Sequence, residues 1–216
     1  MKICLIAEGC YPYVAGGVSS WVQMLIEGMP EHRFVIYTIG ANEEQRGKFK
    51  YQLPANVESV EENFLDQFMD AKVRRQARFQ LTAAEKQAVL DLITSDRTDW
   101  PLLFDMFAAG GRYNANEFLT SEAFLDIVME ACRGSYSQTP FNQTFWTMRS
   151  MLLPVLNILR CPVPEVDVFH TVSTGYAGLL GAMFSHKTGR PLLVTEHGIY
   201  SREREEEILK ASWVDV

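Results

Sequence analysis

The sequence predicts an α/β fold in which a parallel sheet of about five or more strands is flanked by helices and interrupted by a large helical insertion. Three observations carry this expectation. Short apolar runs at 2–8 and 34–40, and again near 166–173 and 191–198, have strand length and are bounded by turn residues or by helical periodicity. Two of them, VDVF and PLLVT, are apolar on both faces, as strands buried between helices in a parallel sheet are. From roughly 64 to 163, apolar and aromatic residues recur at helical spacing with no strand candidate, over a span far longer than an ordinary α/β crossover.

Taken in order, the run KICLIAE forms the first strand and the segment EGCYPYVAGG the loop after it. A helix follows from Val18, because Val18, Trp21, Val22, Leu25, Ile26 and Met29 fall three and four residues apart and form one stripe to pack on a sheet. FVIYTIG is the second strand, and a weaker third lies near Val57 to Val60, after a turn marked by Pro54 and Asn56. Inside the insertion, Thr82 and Glu85 form a capping box for a helix running to about Ile93, and Asp99 with Pro101 starts another. Further helices are expected at 116–132 and at 142–159, the latter bent at Pro154. Beyond Cys161, Pro162 and Pro164 the alternation resumes: VDVFHTVS as a strand, a helix over about 174–187, PLLVTEHG as a strand and an acidic helix from Ser201. On that helix, Glu206 and Lys210 have the spacing of an ion pair. Residues 1–63 and 164–216 thus make one Rossmann-like domain and 64–163 an inserted helical subdomain. The last residues, Ser212 to Val216, have no capping glycine and read as a cut inside a longer chain.

Composition narrows the function classes. The chain has 216 residues, 47% of them hydrophobic, enough for a sizeable core, and its formal charge of −7 argues against a nucleic-acid partner. The opening apolar run is broken by Glu8 too early to be a signal-peptide core, and MLLPVLNIL at 151–159 is too short for a bilayer, so a soluble cytoplasmic protein is expected. Cys4, Cys10, Cys132 and Cys161 are scattered without a CxxC pair, which suggests neither zinc nor redox chemistry. Asp167, flanked by Val166 and Val168, is not a DxD metal motif, and no metal or cofactor is expected.

Ligands of open parallel sheets gather at the carboxyl ends of the strands. Gly16 and Gly17, just ahead of the helix beginning Val18, let backbone come close to a ligand at a helix N-terminus that favours phosphate, although the loop lacks the GxGxxG spacing of dinucleotide folds. His170 ends a strand ahead of Gly175, Gly178 and Gly181, whose spacing of three also suits plain helix-to-strand packing. Glu196, His197 and Gly198 follow an apolar strand and cannot be strand core; His197 suits hydrogen bonding to a sugar hydroxyl, and Arg202 could meet an anion.

The segments AEGCYPYVAGGVSSWVQMLIEGMPEHRFVIYTIG, DVFHTVSTGYAGLLGA and LLVTEHGIYSREREEEI together resemble the Pel-type exopolysaccharide glycosyltransferases, within the retaining glycosyltransferases of family 4. The resemblance implies a GT-B enzyme of two Rossmann-like domains, of which this chain supplies the acceptor-side one, with a second domain holding most of a UDP-sugar. It maps Gly16, Gly17 and Val18 onto the donor diphosphate, His197 onto the transferred sugar as the catalytic contact and, more loosely, His170 beside it. It implies retention of configuration without an obligatory metal, a growing glycan as acceptor, and membrane-bound synthase components as partners. Alone, the chain is then expected to be inactive. The alternative is a non-catalytic Rossmann-like module that docks a membrane-bound synthase complex through its aromatic-rich insertion.

Overall fold

In the computed structural model, which describes residues 1–68, 79–198, 202 and 205, the chain divides into two compact units, Met1–Phe64 with Val163–Val216, and Leu65–Pro162. The first is a Rossmann-like α/β unit. Its strands are β1 (Lys2–Glu8), β2 (Arg33–Gly40), β3 (Val57–Phe64), β4 (Val168–Thr171) and β5 (Leu192–Val194), all parallel, in the order β3-β2-β1-β4-β5. β1 is central because Ile3 to Ala7 are buried throughout, with Ile3 registered against both Phe34 of β2 and Val168 of β4. The strand order reverses between β1 and β4, which makes the carboxyl ends of those two strands the switch point of the sheet.

The alternating side chains of the strands serve two helices. Ile3, Leu5, Phe34 and Ile36 form a core with Val22 and Ile26 of α1 (Gly17–Glu27), while Trp21 and Leu25 pack partly buried against it. Phe184 of α7 (Tyr176–Thr188) stands 5.3 Å from Tyr37 and 5.4 Å from Phe169, ring centre to ring centre. α7 lies close enough to the sheet that a Cβ at Gly181 would come within 2.6 Å of Thr171 Cγ2 and 2.7 Å of Leu192 Cδ1. That glycine therefore serves helix-to-strand packing. The Asn56 amide donates to the carbonyls of Ile26, Met29 and His32, which fastens the C-terminus of α1 and the loop into β2.

The unit Leu65–Pro162 is helical among its described residues: α2 (Ala83–Thr94), α3 (Trp100–Phe107), α4 (Ala115–Phe118), α5 (Glu122–Arg133) and α6 (Phe141–Ile158). The capping box forms as its spacing predicts, with Glu85 N donating to Thr82 Oγ1 at 3.2 Å and Thr82 N to Glu85 Oε2 at 2.7 Å. Asp99 accepts from Leu102 N at 3.0 Å at the head of α3. The single helix expected over 116–132 is instead two, α4 and α5. Thr120 turns its hydroxyl back on the carbonyls of Asn116 and Glu117, and Ser121 opens a fresh helix by accepting from Phe124 N. Phe107, Phe118, Phe124 and Phe145 form a chain of rings with successive centres 5.2, 5.7 and 5.7 Å apart.

β3 runs four residues beyond the short strand expected, to Phe64, pairing with β2 along its length. β5 is shorter than expected and lies at the edge of the sheet, with Leu193 and Val194 exposed. The acidic helix expected from Ser201 lies outside the described residues apart from Arg202 and Glu205, as do Glu206 and Lys210. No helix among the described residues is long and apolar enough to cross a membrane.

Candidate functional site

The loop after β1 is pinned by aromatic side chains. Tyr11 is fully buried and donates to Gln23 Oε1 at 2.8 Å, and Tyr13 donates to Glu62 Oε2 at 2.5 Å. Burial pushes the Tyr11 phenol up to about 12 and the Cys10 thiol up to about 11, so both stay protonated and unreactive at neutral pH. The rigid loop delivers Gly16 as the N-cap of α1, with no side chain capping the helix and no acidic residue in its first turn. The Gly16 amide reaches Tyr51 Oη at 3.4 Å, and Ser20 Oγ lies 3.2 Å from the same oxygen. The N–H groups of Gly17 and Val18 have no partner among the described residues. Gly16 and Gly17 are exposed, and a Cβ on either would meet nothing within 4 Å. Nothing in the chain's own packing requires glycine at these two positions.

α7 differs at the same edge of the sheet. Its N-cap, Gly175, also lacks a side-chain cap, but Glu8 at the end of β1 accepts from Ala177 N at 3.0 Å and from Ser173 Oγ at 3.4 Å. A carboxylate of the chain itself thus occupies the anion-attracting end of α7, and of the two helix N-termini only that of α1 is open.

Both histidines of the sequence reading stand beside that open end. His170 Nε2 is 2.8 Å from Thr195 Oγ1, which ties β4 to the segment after β5. Thr174 donates to Glu196 Oε1 at 2.9 Å, so Glu196 fastens the same segment to the entry of α7. Trp21, one turn into α1, meets both histidine rings edge-on, 6.0 Å from His170 and 4.6 Å from His197. Burial first, and the neighbouring His197 second, hold the His170 ring below the ordinary histidine value of 6.5, so it is neutral at pH 7. His197 is exposed.

Gly16, Gly17, Val18, His170, Glu196 and His197 therefore lie along one edge of one sheet, and Trp21 links the first turn of α1 to both histidines. Arg202 is exposed and makes no contact with any of them among the described residues. Asp167 is at the opposite edge, accepting from Lys2 N at 2.8 Å where β1 and β4 begin. Sequence reasoning missed Trp21, because its spacing fits the sheet-facing stripe, and missed the cap formed by Glu8, because its partner is 169 residues away. Tyr51 carried no signal at all.

The family model described as Domain of unknown function (DUF3492) matches residues 1–216, and the chain belongs to that family. No curated protein and no solved structure matches it.

Proposed function

We propose that this member of the DUF3492 family is the acceptor-side domain of a retaining GT-B glycosyltransferase that transfers a sugar from a UDP-sugar to a growing exopolysaccharide, as Pel-type enzymes do. The observation that carries the reading is the open N-terminus of α1, with Gly16 and Gly17 lacking any packing role, set beside His197 through Trp21. Two unpartnered backbone N–H groups and the positive end of an 11-residue helix, equivalent to about half an elementary charge, suit an oxygen-rich anion that approaches the backbone closely.

In this reading the bond between the anomeric carbon and the diphosphate oxygen breaks while an acceptor hydroxyl attacks the same face of the sugar, its proton passing to an oxygen of the departing phosphate. Negative charge then grows on the departing diphosphate. The amides of Gly17 and Val18 are fixed before the reaction and aimed at that charge, which is where a preorganised donor lowers the barrier. His197 hydrogen-bonds the transferred sugar, with Trp21 against its ring limiting the orientations it takes. Neutral His170 holds Thr195, and Glu196 holds Thr174, so both keep the segment carrying His197 in place. A second Rossmann-like domain supplies the remaining contacts to UDP.

Calorimetric titration of UDP and UDP-sugars into this chain, and into a protein that carries the second domain, tests the reading. Binding by the two-domain protein, weakened by Gly17→Val, is the expected result. Absence of binding by both would leave the alternative of a docking module for a membrane-bound synthase complex. That alternative draws on α6, which exposes Phe141, Trp146 and Met151.

A further inference from the structure

The helical unit contains a cleft of about 430 Å³, within the range of small-molecule sites, formed by the turn after α3, the start of α4 and Arg160 just beyond α6. The turn is rigid. Gly110 has φ of +78°, and a Cβ at Gly111 would come within 2.7 Å of the Ala108 carbonyl oxygen, so the chain reverses tightly here. Tyr113 N then donates to the Met106 carbonyl at 2.8 Å, which folds the turn back on α3.

The side chains that line the cleft are anchored from behind. Arg112 pairs with Glu85, whose carboxylate is fully buried and also closes the capping box of α2. The Tyr113 hydroxyl donates to the Gln80 carbonyl at 3.2 Å, and its ring packs against those of Phe79 and Phe107. Asn114 spends its carbonyl oxygen on capping α4, accepting from the amides of Asn116 and Glu117, which leaves its amide donors unmatched. The Arg160 guanidinium and the Glu117 carboxylate, which also line the cleft, have no side-chain partner among the described residues.

Charge decides the class of ligand. Arg112 is balanced by Glu85, and the lining carries one further cation, Arg160, and one anion, Glu117, so the cleft has no net charge to hold a phosphate. It offers unmatched donors on Arg160 and Asn114, an unmatched acceptor on Glu117 and one aromatic wall in Tyr113. Hydroxyl groups each donate and accept, and a mixed lining of this kind satisfies several together. We propose that this cleft binds a neutral, hydroxyl-rich ligand of the carbohydrate class. The proposal rests on the lining alone and stands whether or not the sheet unit handles a nucleotide sugar.

The test is an NMR titration of the intact chain, labelled at the arginine side chains, with neutral tetrasaccharides of glucose, galactose and N-acetylhexosamine and, separately, with inorganic phosphate. At least one tetrasaccharide is expected to shift the Arg160 and Arg112 side-chain resonances with saturation. Arg160→Ala and Glu117→Gln, at positions without side-chain partners to lose, should each weaken that binding tenfold or more. Phosphate shifting these resonances in place of the sugars would overturn the proposal in favour of an anion site. No saturable shift with any sugar, or binding untouched by both substitutions, would overturn it outright.

Discussion

The helices of the two units begin in different ways. In the helical unit the side chains of Thr82, Asp99, Asn114 and Ser121 accept backbone N–H groups at the heads of α2, α3, α4 and α5, while α6 opens on Pro140 without a side-chain cap. In the sheet unit α1 and α7 open on glycines, Gly16 and Gly175, without such a cap. A side-chain cap is worth about 1 kcal/mol over alanine and a few tenths over glycine, so forgoing one for glycine has a small cost in stability. α7 recovers part of it from Glu8, whereas α1 does not. At the strand ends the same backbone chemistry is thus closed at α7 by Glu8 and left open at α1.

Substitutions can break or sharpen this contrast, starting from the largest expected effect. In the two-domain protein of the proposed reading, His197→Ala should lower turnover by about 10²–10³-fold, a loss comparable to removing one preorganised hydrogen bond that acts in the transition state, with no change in thermal unfolding because the side chain is exposed. Turnover within threefold of the parent would remove His197 from the site. In the helical unit, Glu85→Ala deletes both a capping box and the partner of Arg112, and denaturant unfolding should show a loss of about 3 kcal/mol. Gly181→Ala forces a methyl against Thr171 and Leu192 and should cost about 2 kcal/mol in the same measurement, which a spacious α7 contact would not produce.

Gly16→Asp carries the helical unit's habit into the sheet unit. The position is extended, with φ of 175°, and has room for a side chain, so the cap should raise stability by about 0.3 kcal/mol while abolishing UDP binding in calorimetry. A more stable protein that still binds UDP would show that the diphosphate sits elsewhere. The smallest effect concerns pH. The unfolded His170 ring takes up its proton near 6.5 and the folded ring only at lower pH, so this group's contribution is complete above 6.5 and is lost as pH falls from there toward the folded value. His170→Gln should flatten that part of the stability profile.

Much of this architecture could be read from the sequence, and the parts that could not have physical reasons. The alternation in KICLIAE and the stripe from Val18 to Met29 are local patterns, and β1 and α1 form where those patterns lie. The break between α4 and α5 escaped because Thr120 and Ser121 sit within a continuous helical periodicity; only their hydroxyl bonds reveal the stop. PLLVT looks like a central strand, but apolarity on both faces does not distinguish a central strand from an edge strand, and β5 leaves Leu193 and Val194 uncovered. The strand-end residues Gly16, Gly17, His170, Glu196 and His197 could be picked out because topology sends them to one edge. The orientation of His197 by Trp21, and the occupation of the α7 terminus by Glu8, arise from contacts that no short window contains.

The bond from Glu8 to Ala177 also sets an order of events during synthesis. β1 leaves the ribosome early, yet its second neighbour, β4, and the helix that Glu8 caps are translated only after the whole of Leu65–Pro162. Until then one side of β1 is an open edge, able to pair with another nascent chain, and its slow long-range closure sets the period of risk. The intervening helices α2 to α5, each opened by its own side-chain cap, can form while the sheet waits. Released fragments that end before residue 168 should therefore aggregate more readily than fragments that end beyond residue 188, and light scattering from the two lengths would reveal it.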